Sequence, residues 1–243
     1  MTTPFKEVPS EFYDADVSSK PLQQHIDEYY TLQNSAAKRR IGILMKYLDI
    51  QPGEQLLDIG CGVGTFAYHS AVKGATSYGI DYSQDSIKIA QQLTKQFGVG
   101  ERTHFFVGKI DALPFEDSKF DKIIAADIIE HISDTEKERM LKEMARVLKK
   151  DGLIIVFTPN AIRDAIGLFL KKITFREIQG WNVKAHFGLI SRRTYNKILR
   201  RNNVDFSFHY IDLTRPYLAS IPFVREYLSL NMLWVIKKGK SAI

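Results

Sequence analysis

Leu56-Leu57-Asp58-Ile59-Gly60-Cys61-Gly62-Val63-Gly64 decides the fold. Apolar residues around one acid run into glycines at alternate positions, the pattern of a buried strand that turns tightly into a helix. Glycines there let a ligand approach the backbone closely, and the helix that follows offers its first amides. The same glycines also suit a tight turn with no ligand. Two features favour a ligand. The spacing is Gly-x-Gly-x-Gly, not the Gly-x-Gly-x-x-Gly of dinucleotide-binding turns. Asp81 closes the next apolar run, 21 residues after Gly60, where a carboxylate can accept hydrogen bonds from both hydroxyls of a ribose.

Outward from this turn, short apolar runs alternate with helical patterns. Strands are expected at Gln55 to Ile59, Thr76 to Asp81, Thr103 to Val107, Lys122 to Ala126 and Leu153 to Thr158, with helices at Thr65 to Val72, Gln84 to Phe97 and Thr135 to Leu148. The last helix is read as ending on Lys149-Lys150-Asp151-Gly152, a basic last turn followed by glycine. Such alternation means a parallel sheet wrapped by helices. Upstream lie a polar, mobile start and two helices, Pro21 to Leu32 and Ser35 to Leu48, the second with Ile41, Leu44, Met45 and Leu48 on one face. Downstream come an inserted segment, a helix at Ser191 to Arg201 and strands near Phe206 to Leu213 and Leu230 to Lys237. A length of 243 residues suits one α/β domain: helices in 1–50, a ligand-binding core in 51–160, the insertion in 161–190 and the closing elements in 191–243.

With 44% apolar and 26% charged residues the chain has the composition of a globular protein rather than a disordered or disulfide-stapled one. A single cysteine, Cys61, excludes an intrachain disulfide, and no secretory signal pattern is present, so a cytoplasmic location is expected. No apolar run approaches the roughly 18 residues of a spanning helix, which leaves only peripheral membrane contact. The net charge of +6 is uneven, because residues 161–201 hold ten Lys or Arg against Asp164 and Glu177. That asymmetry points to an anionic partner: lipid headgroups, nucleic acid or an acidic substrate.

Taken together, the glycine turn, Asp81 and the strand order resemble class I S-adenosylmethionine-dependent methyltransferases over nearly the whole chain. The resemblance implies a Rossmann-like α/β fold: a seven-stranded, mostly parallel sheet with helices on both faces and an antiparallel last strand. It implies S-adenosyl-L-methionine as cofactor, with Asp58, Gly60, Cys61 and Gly62 at its methionine part and Asp81 on the ribose. Tyr82 would stack on adenine beside Ile110, and Ala126 would close the pocket. One position departs: four residues before Leu113-Pro114-Phe115, where the family usually has an acid, stands Lys109. Asp111 either substitutes for it or holds a surface turn.

After the fourth strand comes Asp127-Ile128-Ile129-Glu130-His131. If helical, its positions i, i+3 and i+4 share a face, and two carboxylates and an imidazole there suit Mg²⁺, Mn²⁺ or Zn²⁺. The stretch resembles the Glu-x-x-Glu-His of ubiquinone-pathway O-methyltransferases and small-RNA 2′-O-methyltransferases, which have another histidine downstream; His186 takes that place. Arg40, 18 residues before Asp58, matches the arginine that meets the cofactor carboxylate in the quinone enzymes. Thr158-Pro159-Asn160 resembles their turn after the fifth strand. Asp127 replaces a glutamate and is one methylene shorter. The competing reading keeps Glu130 as a local cap or pair and His131 as a packed histidine. With a metal, the substrate hydroxyl would lose its proton on the ion; without one, His131, His186 or Glu130 would serve catalysis, the histidines as general base.

Between Ala161 and Lys184, Ile162, Ile166, Phe169, Leu170 and Ile173 keep helical spacing among Arg163, Lys171, Lys172, Arg176 and Trp181. The segment reads either as a lid over the site or as a contact with anionic membrane that draws in a lipidic substrate. Nucleic acid ranks below lipid, since no ladder of stacking aromatics accompanies the charge. The expected activity is methylation of a hydroxyl on a hydrophobic or quinone-like small molecule. Metal-independent N- or C-methylation and a catalytically silent binding module are the alternatives. Oligomeric state is not encoded in any of these features.

Overall fold

The computed structural model describes residues 9–161, 190–211, 217, 221, 225–227 and 229–238. His186 and nearly all of the basic insertion lie outside the described residues. Within them the chain forms α1 (Ser10–Ser18), α2 (Leu22–His25), α3 (Ser35–Leu48), β1 (Gln55–Ile59), α4 (Thr65–Val72), β2 (Thr76–Asp81), α5 (Gln84–Gln96), β3 (Thr103–Val107), β4 (Phe120–Ala126), α6 (Asp134–Val147), β5 (Leu148–Pro159), α7 (Arg192–Arg201), β6 (Asp205–Ile211) and β7 (Asn231–Lys237). The strands make one sheet in the order β3-β2-β1-β4-β5-β7-β6. Pairs from β3 to β5 are parallel, and β7 runs antiparallel to both of its neighbours. This is the expected architecture, with the last strand reversed.

Two-residue periodicity sorts the strand side chains between two cores. Leu56, Ile124, Ile155 and Phe157 pack against Ile41, Leu44 and Leu48 of α3 and Phe66 of α4. Leu57, Ile59, Ile123, Ala125, Ile154 and Val156 pack against Met140, Leu141 and Met144 of α6 and Tyr195, Ile198 and Leu199 of α7. Strands buried on both faces explain why their sequences read as apolar runs rather than alternation. Each fully buried aliphatic side chain contributes about 1.5–3 kcal/mol to this arrangement. Because β2 and β4 leave opposite sides of β1, a crevice opens beyond the carboxyl ends of β1 and β4, the place where open α/β sheets bind ligands.

Three local expectations need correction. The start of the chain is not wholly irregular: α1 forms and docks on the first turn of α5. The segment from Pro21 is not one α-helix, because after His25 it widens into a π turn, Ile26–Tyr30, that ends at Leu32 with φ 54°. That turn buries Ile26 and Tyr30 against Leu93 of α5, a tertiary gain that outweighs regular helix spacing. Finally, Lys149 to Gly152 is not a helix terminus. The capping box of Ser133 and Glu136 starts α6, but the helix ends at Val147 and β5 begins with a register shift between Phe120 and Lys122. Lys149 reaches across that irregularity to both oxygens of Asp121 at 2.8 Å, and a Cβ on Gly152 would fall 2.9 Å from the Asp121 carbonyl.

Candidate active site

The glycine turn is held by its own backbone. Gly60 and Cys61 both donate to the Ile80 carbonyl at the end of β2, at 2.9 and 3.1 Å, and Gly64 donates to Cys61. Tyr30, brought in by the π turn, donates its hydroxyl to the Val63 carbonyl at 2.7 Å. These amides therefore shape the turn instead of pointing at a ligand, and what the glycines supply is space. Gly62 has φ 52° with nothing within 4 Å of the place a Cβ would occupy, so its face of the turn is an open cradle. Beneath it Asp58 is 2% exposed. The amides of Phe66 and Ala67 at the start of α4 hydrogen-bond it, yet burial pushes its pKa up to about 7.

Asp81 faces the same cradle from β2. Its two carboxylate oxygens accept from the amides of Gly62 at 2.8 Å and Ser83 at 2.9 Å. Burial raises its pKa while the Ser83, Gly62 and Tyr82 amides oppose that shift. A cleft of about 230 Å³ opens beside it, lined by Asp81, Tyr82, Lys109, Ile110, Asp111, Ile128 and His131 among others. Tyr82 and Ile110 are thus part of one lining. Lys109 also lines the cleft, with Nζ 5.9 Å from the Tyr82 ring centroid. Asp111 lines the same cleft and accepts from Arg139 Nε at 2.9 Å. A second cleft, about 320 Å³, contains Arg40, Asp58, Gly60, Cys61, Gly62, Asp81, Ala126 and Asp127 in its lining. Tyr13, Gly60, Asp81 and Asp127 line both.

The stretch after β4 departs from the helical reading. Asp127 has φ 55°, its amide donates to Phe157 at 2.9 Å, and only Ile129–His131 form a single 3-10 turn. Positions i, i+3 and i+4 therefore do not share a face. Asp127 turns to Arg40, whose guanidinium donates to it and lies 5.7 and 5.4 Å from the ring centroids of Phe66 and Phe157. Glu130 turns inward instead: it is 1% exposed and accepts from the Thr158 hydroxyl at 2.8 Å. Burial first, then the charge of Asp127, hold its carboxyl above the usual range. His131 lies in the wall of the first cleft. Among the described residues no three His, Cys, Asp or Glu side chains converge as metal ligands, and His186 is outside them. Asp127 pairs with Arg40 and Glu130 with the Thr158 hydroxyl, so among the described residues the predicted ligands do not converge.

Several site residues escaped the sequence reading, and α1 supplies the main ones. Tyr13 enters both clefts, and its ring stands nearly perpendicular to that of His131 with centroids 6.0 Å apart. Burial, then the charges of Asp81 and Glu130, push its pKa up to about 12, so the phenol stays neutral. Asp14 accepts from the Ser83 hydroxyl at 2.6 Å and the Asp85 amide at 3.1 Å, which fixes α1 to the N-terminus of α5. The sequence signal for this helix was Pro9-Ser10-Glu11, a helix start with no apolar periodicity behind it.

Fold and site together define a Rossmann-like α/β protein with a pair of clefts at its sheet switch point. Residues 50–203, more than half of the chain, match the family model described as a methyltransferase domain; the chain belongs to that family. Among curated proteins it is similar to norajmaline N-methyltransferase of Rauvolfia serpentina, with 34% identity over 130 residues, covering 51% of this chain and 44% of that protein. It is also similar to the ubiquinone biosynthesis O-methyltransferase of Chelativorans sp. (strain BNC1), with 33% identity over 116 residues, 48% of this chain and 44% of the relative. The chain thus spans less than half the length of these two relatives. The solved structure of the [4+2]-cyclase SpnF shares the fold, with TM-score 0.68 and 19% identity over 98% of this chain and all of that one.

Proposed function

We propose that this chain transfers the methyl group of S-adenosyl-L-methionine to a hydroxyl on a hydrophobic, quinone-like small molecule, and does so without a metal. The observation that carries the reading is the pair of clefts meeting at Gly60 and Asp81, one with an aromatic and aliphatic wall suited to adenine and one with Arg40 suited to an amino-acid carboxylate. When bound, the cofactor supplies a methyl group on a cationic sulfur that leaves as a neutral thioether. Asp81 holds the ribose, Tyr82 and Ile110 flank the adenine, and the Gly60–Gly62 face and Ala126 leave room for the methionyl part. Arg40, kept in place by Asp127, offers its remaining guanidinium N–H groups to the cofactor carboxylate. His131, in the cleft wall, takes the acceptor proton as the oxygen–methyl bond forms, and most of the acceleration comes from alignment of the two partners.

Two arms test this. Calorimetric titration should show S-adenosyl-L-methionine binding by the wild type and roughly tenfold or weaker binding by Asp81→Asn, the loss expected for a charge-assisted hydrogen bond; no binding by the wild type would overturn the reading. Methyl transfer to a panel of phenols should survive EDTA and fall about 100-fold or more in His131→Gln with cofactor affinity kept. N-methylation is the second reading, supported by the similarity to an N-methyltransferase. An amine acceptor favoured in the same panel, with His131→Gln near wild-type rate, would select it. No transfer to any acceptor alongside intact cofactor binding would leave the silent binding module. A hydrophobic acceptor also suits contact of residues 161–184 with anionic membrane, which we include in the proposal.

A further inference from the structure

We propose that Tyr13 is the residue that recognises the positive charge of the cofactor's sulfur, so that the docked helix α1 makes the site prefer the charged methyl donor over its neutral product. This rests on the cofactor reading above. In that cofactor the sulfur is bonded between the adenosyl and methionyl parts. If the parts occupy the two clefts, the residues that face the sulfur are those lining both: Tyr13, Gly60, Asp81 and Asp127.

Three of the four have other roles. Gly60 has no side chain. The Asp81 carboxylate accepts the Gly62 and Ser83 amides and is the ribose ligand of the proposal. Asp127 is bonded to Arg40. Tyr13 adds a ring, and the face of an aromatic ring attracts a cation electrostatically, more strongly where water is excluded. The surroundings favour a cation at this point too, since the carboxylates of Asp81 and Asp127 line both clefts beside Tyr13.

The ring is held in place rather than left to the motion of a terminal helix. On α1, Asp14 accepts from Ser83 and Asp85, Ser18 donates to Asp85 at 3.2 Å, and the Val17 carbonyl is 3.0 Å from Nε2 of the buried His25. Ser83 also donates its amide to Asp81, so α1 and the proposed ribose carboxylate share one hydrogen-bonded chain. Methyl transfer forms the acceptor–methyl bond and breaks the sulfur–methyl bond, with the electron pair left on sulfur and the acceptor proton passed to His131. The sulfur is then neutral, and the attraction to Tyr13 ends with the reaction, which favours exchange of product for fresh donor.

The test is binding, not turnover. Affinities of wild type, Tyr13→Leu and Tyr13→Phe for S-adenosyl-L-methionine and for S-adenosylhomocysteine are measured by calorimetry, with folding of each variant checked by its thermal transition. Tyr13→Leu should weaken the charged ligand roughly tenfold, equivalent to about 1.4 kcal/mol of cation–ring attraction, and leave the neutral one within about twofold. Tyr13→Phe, which keeps the ring, should retain the wild-type ratio. Equal weakening of both ligands by Tyr13→Leu would overturn the proposal and make the residue a simple wall; loss of the ratio in Tyr13→Phe would overturn it by assigning the effect to the hydroxyl. Failure of the wild type to bind either ligand would instead overturn the cofactor reading and this inference with it.

Discussion

Asp58 carries opposing demands: the amides at the start of α4 need an acceptor, while the core around it disfavours charge. Its Oδ2 has no hydrogen-bond partner among the described residues, and its pKa of about 7 against an ordinary 3.8 means that the folded state binds its proton more tightly than the unfolded chain. The resulting stabilisation is fully present below about pH 3.8 and is lost as pH rises toward 7. At neutral pH and above, the ligand-free protein lacks on the order of 4 kcal/mol that it has in acid through this group. The difference in Tm between wild type and Asp58→Asn, followed by calorimetry without ligand from pH 8 to pH 5, should therefore shift in favour of the wild type. A constant difference would show that Asp58 titrates normally. At this scale the sequence was legible where a residue acts through its immediate neighbours. Asp58, Gly60, Gly62 and Asp81 stand together as read, because strand ends and turn glycines fix them locally. The pairing of Asp127 with Arg40 was not legible, since the two lie 87 residues apart and no local pattern announces an ion pair of that separation.

The elements that surround the site are held by short, identifiable devices. Asn34, Ser83 and Ser191 each accept amides of the first turn of α3, α5 and α7, and α6 has the reciprocal pair of Ser133 and Glu136. Since the N-cap of α6, Ser133, lies two residues after His131, it also fixes the exit of the 3-10 turn that carries that histidine. Ser133→Ala should cost about 1 kcal/mol in a urea melt, and the loss should shrink when Glu136→Gln is already present, because the two residues act as one unit. Additive losses would mean that they act separately. Helix and strand positions in the core were legible from apolar periodicity. The π turn and α1 were not: α1 is specified by Asp14, Tyr13 and Val17 meeting α5 and the clefts, contacts that leave no period in nine residues.

Across the whole molecule charge is segregated. Within the basic stretch 161–201, α7 exposes Arg193, Lys197, Arg200 and Arg201, positions that fall on one helix face, with Arg201 near Glu138 at 3.4 Å. Among the described residues no helix is long and apolar enough to cross a membrane; the membrane contact proposed for 161–184 rests on the charge and apolar spacing of its sequence. Co-sedimentation with vesicles should rise with their phosphatidylserine content, fall as salt approaches 0.5 M and weaken in Lys171→Glu/Lys172→Glu. Equal sedimentation with neutral vesicles would remove the electrostatic basis for it.

The sequence by itself determined the parallel sheet, the glycine turn and its acidic partner, because each depends on periodicity or on residues within a strand–turn–helix unit; the reversed last strand followed from the family resemblance. Tertiary structure decided the rest: that the turn's amides close on β2, that Arg40 claims Asp127 and Glu130 withdraws into the core, and that Tyr13 stands where the clefts meet. Those outcomes are competitions between side chains distant in sequence, and which partner wins is settled by proximity and burial that only the folded chain creates.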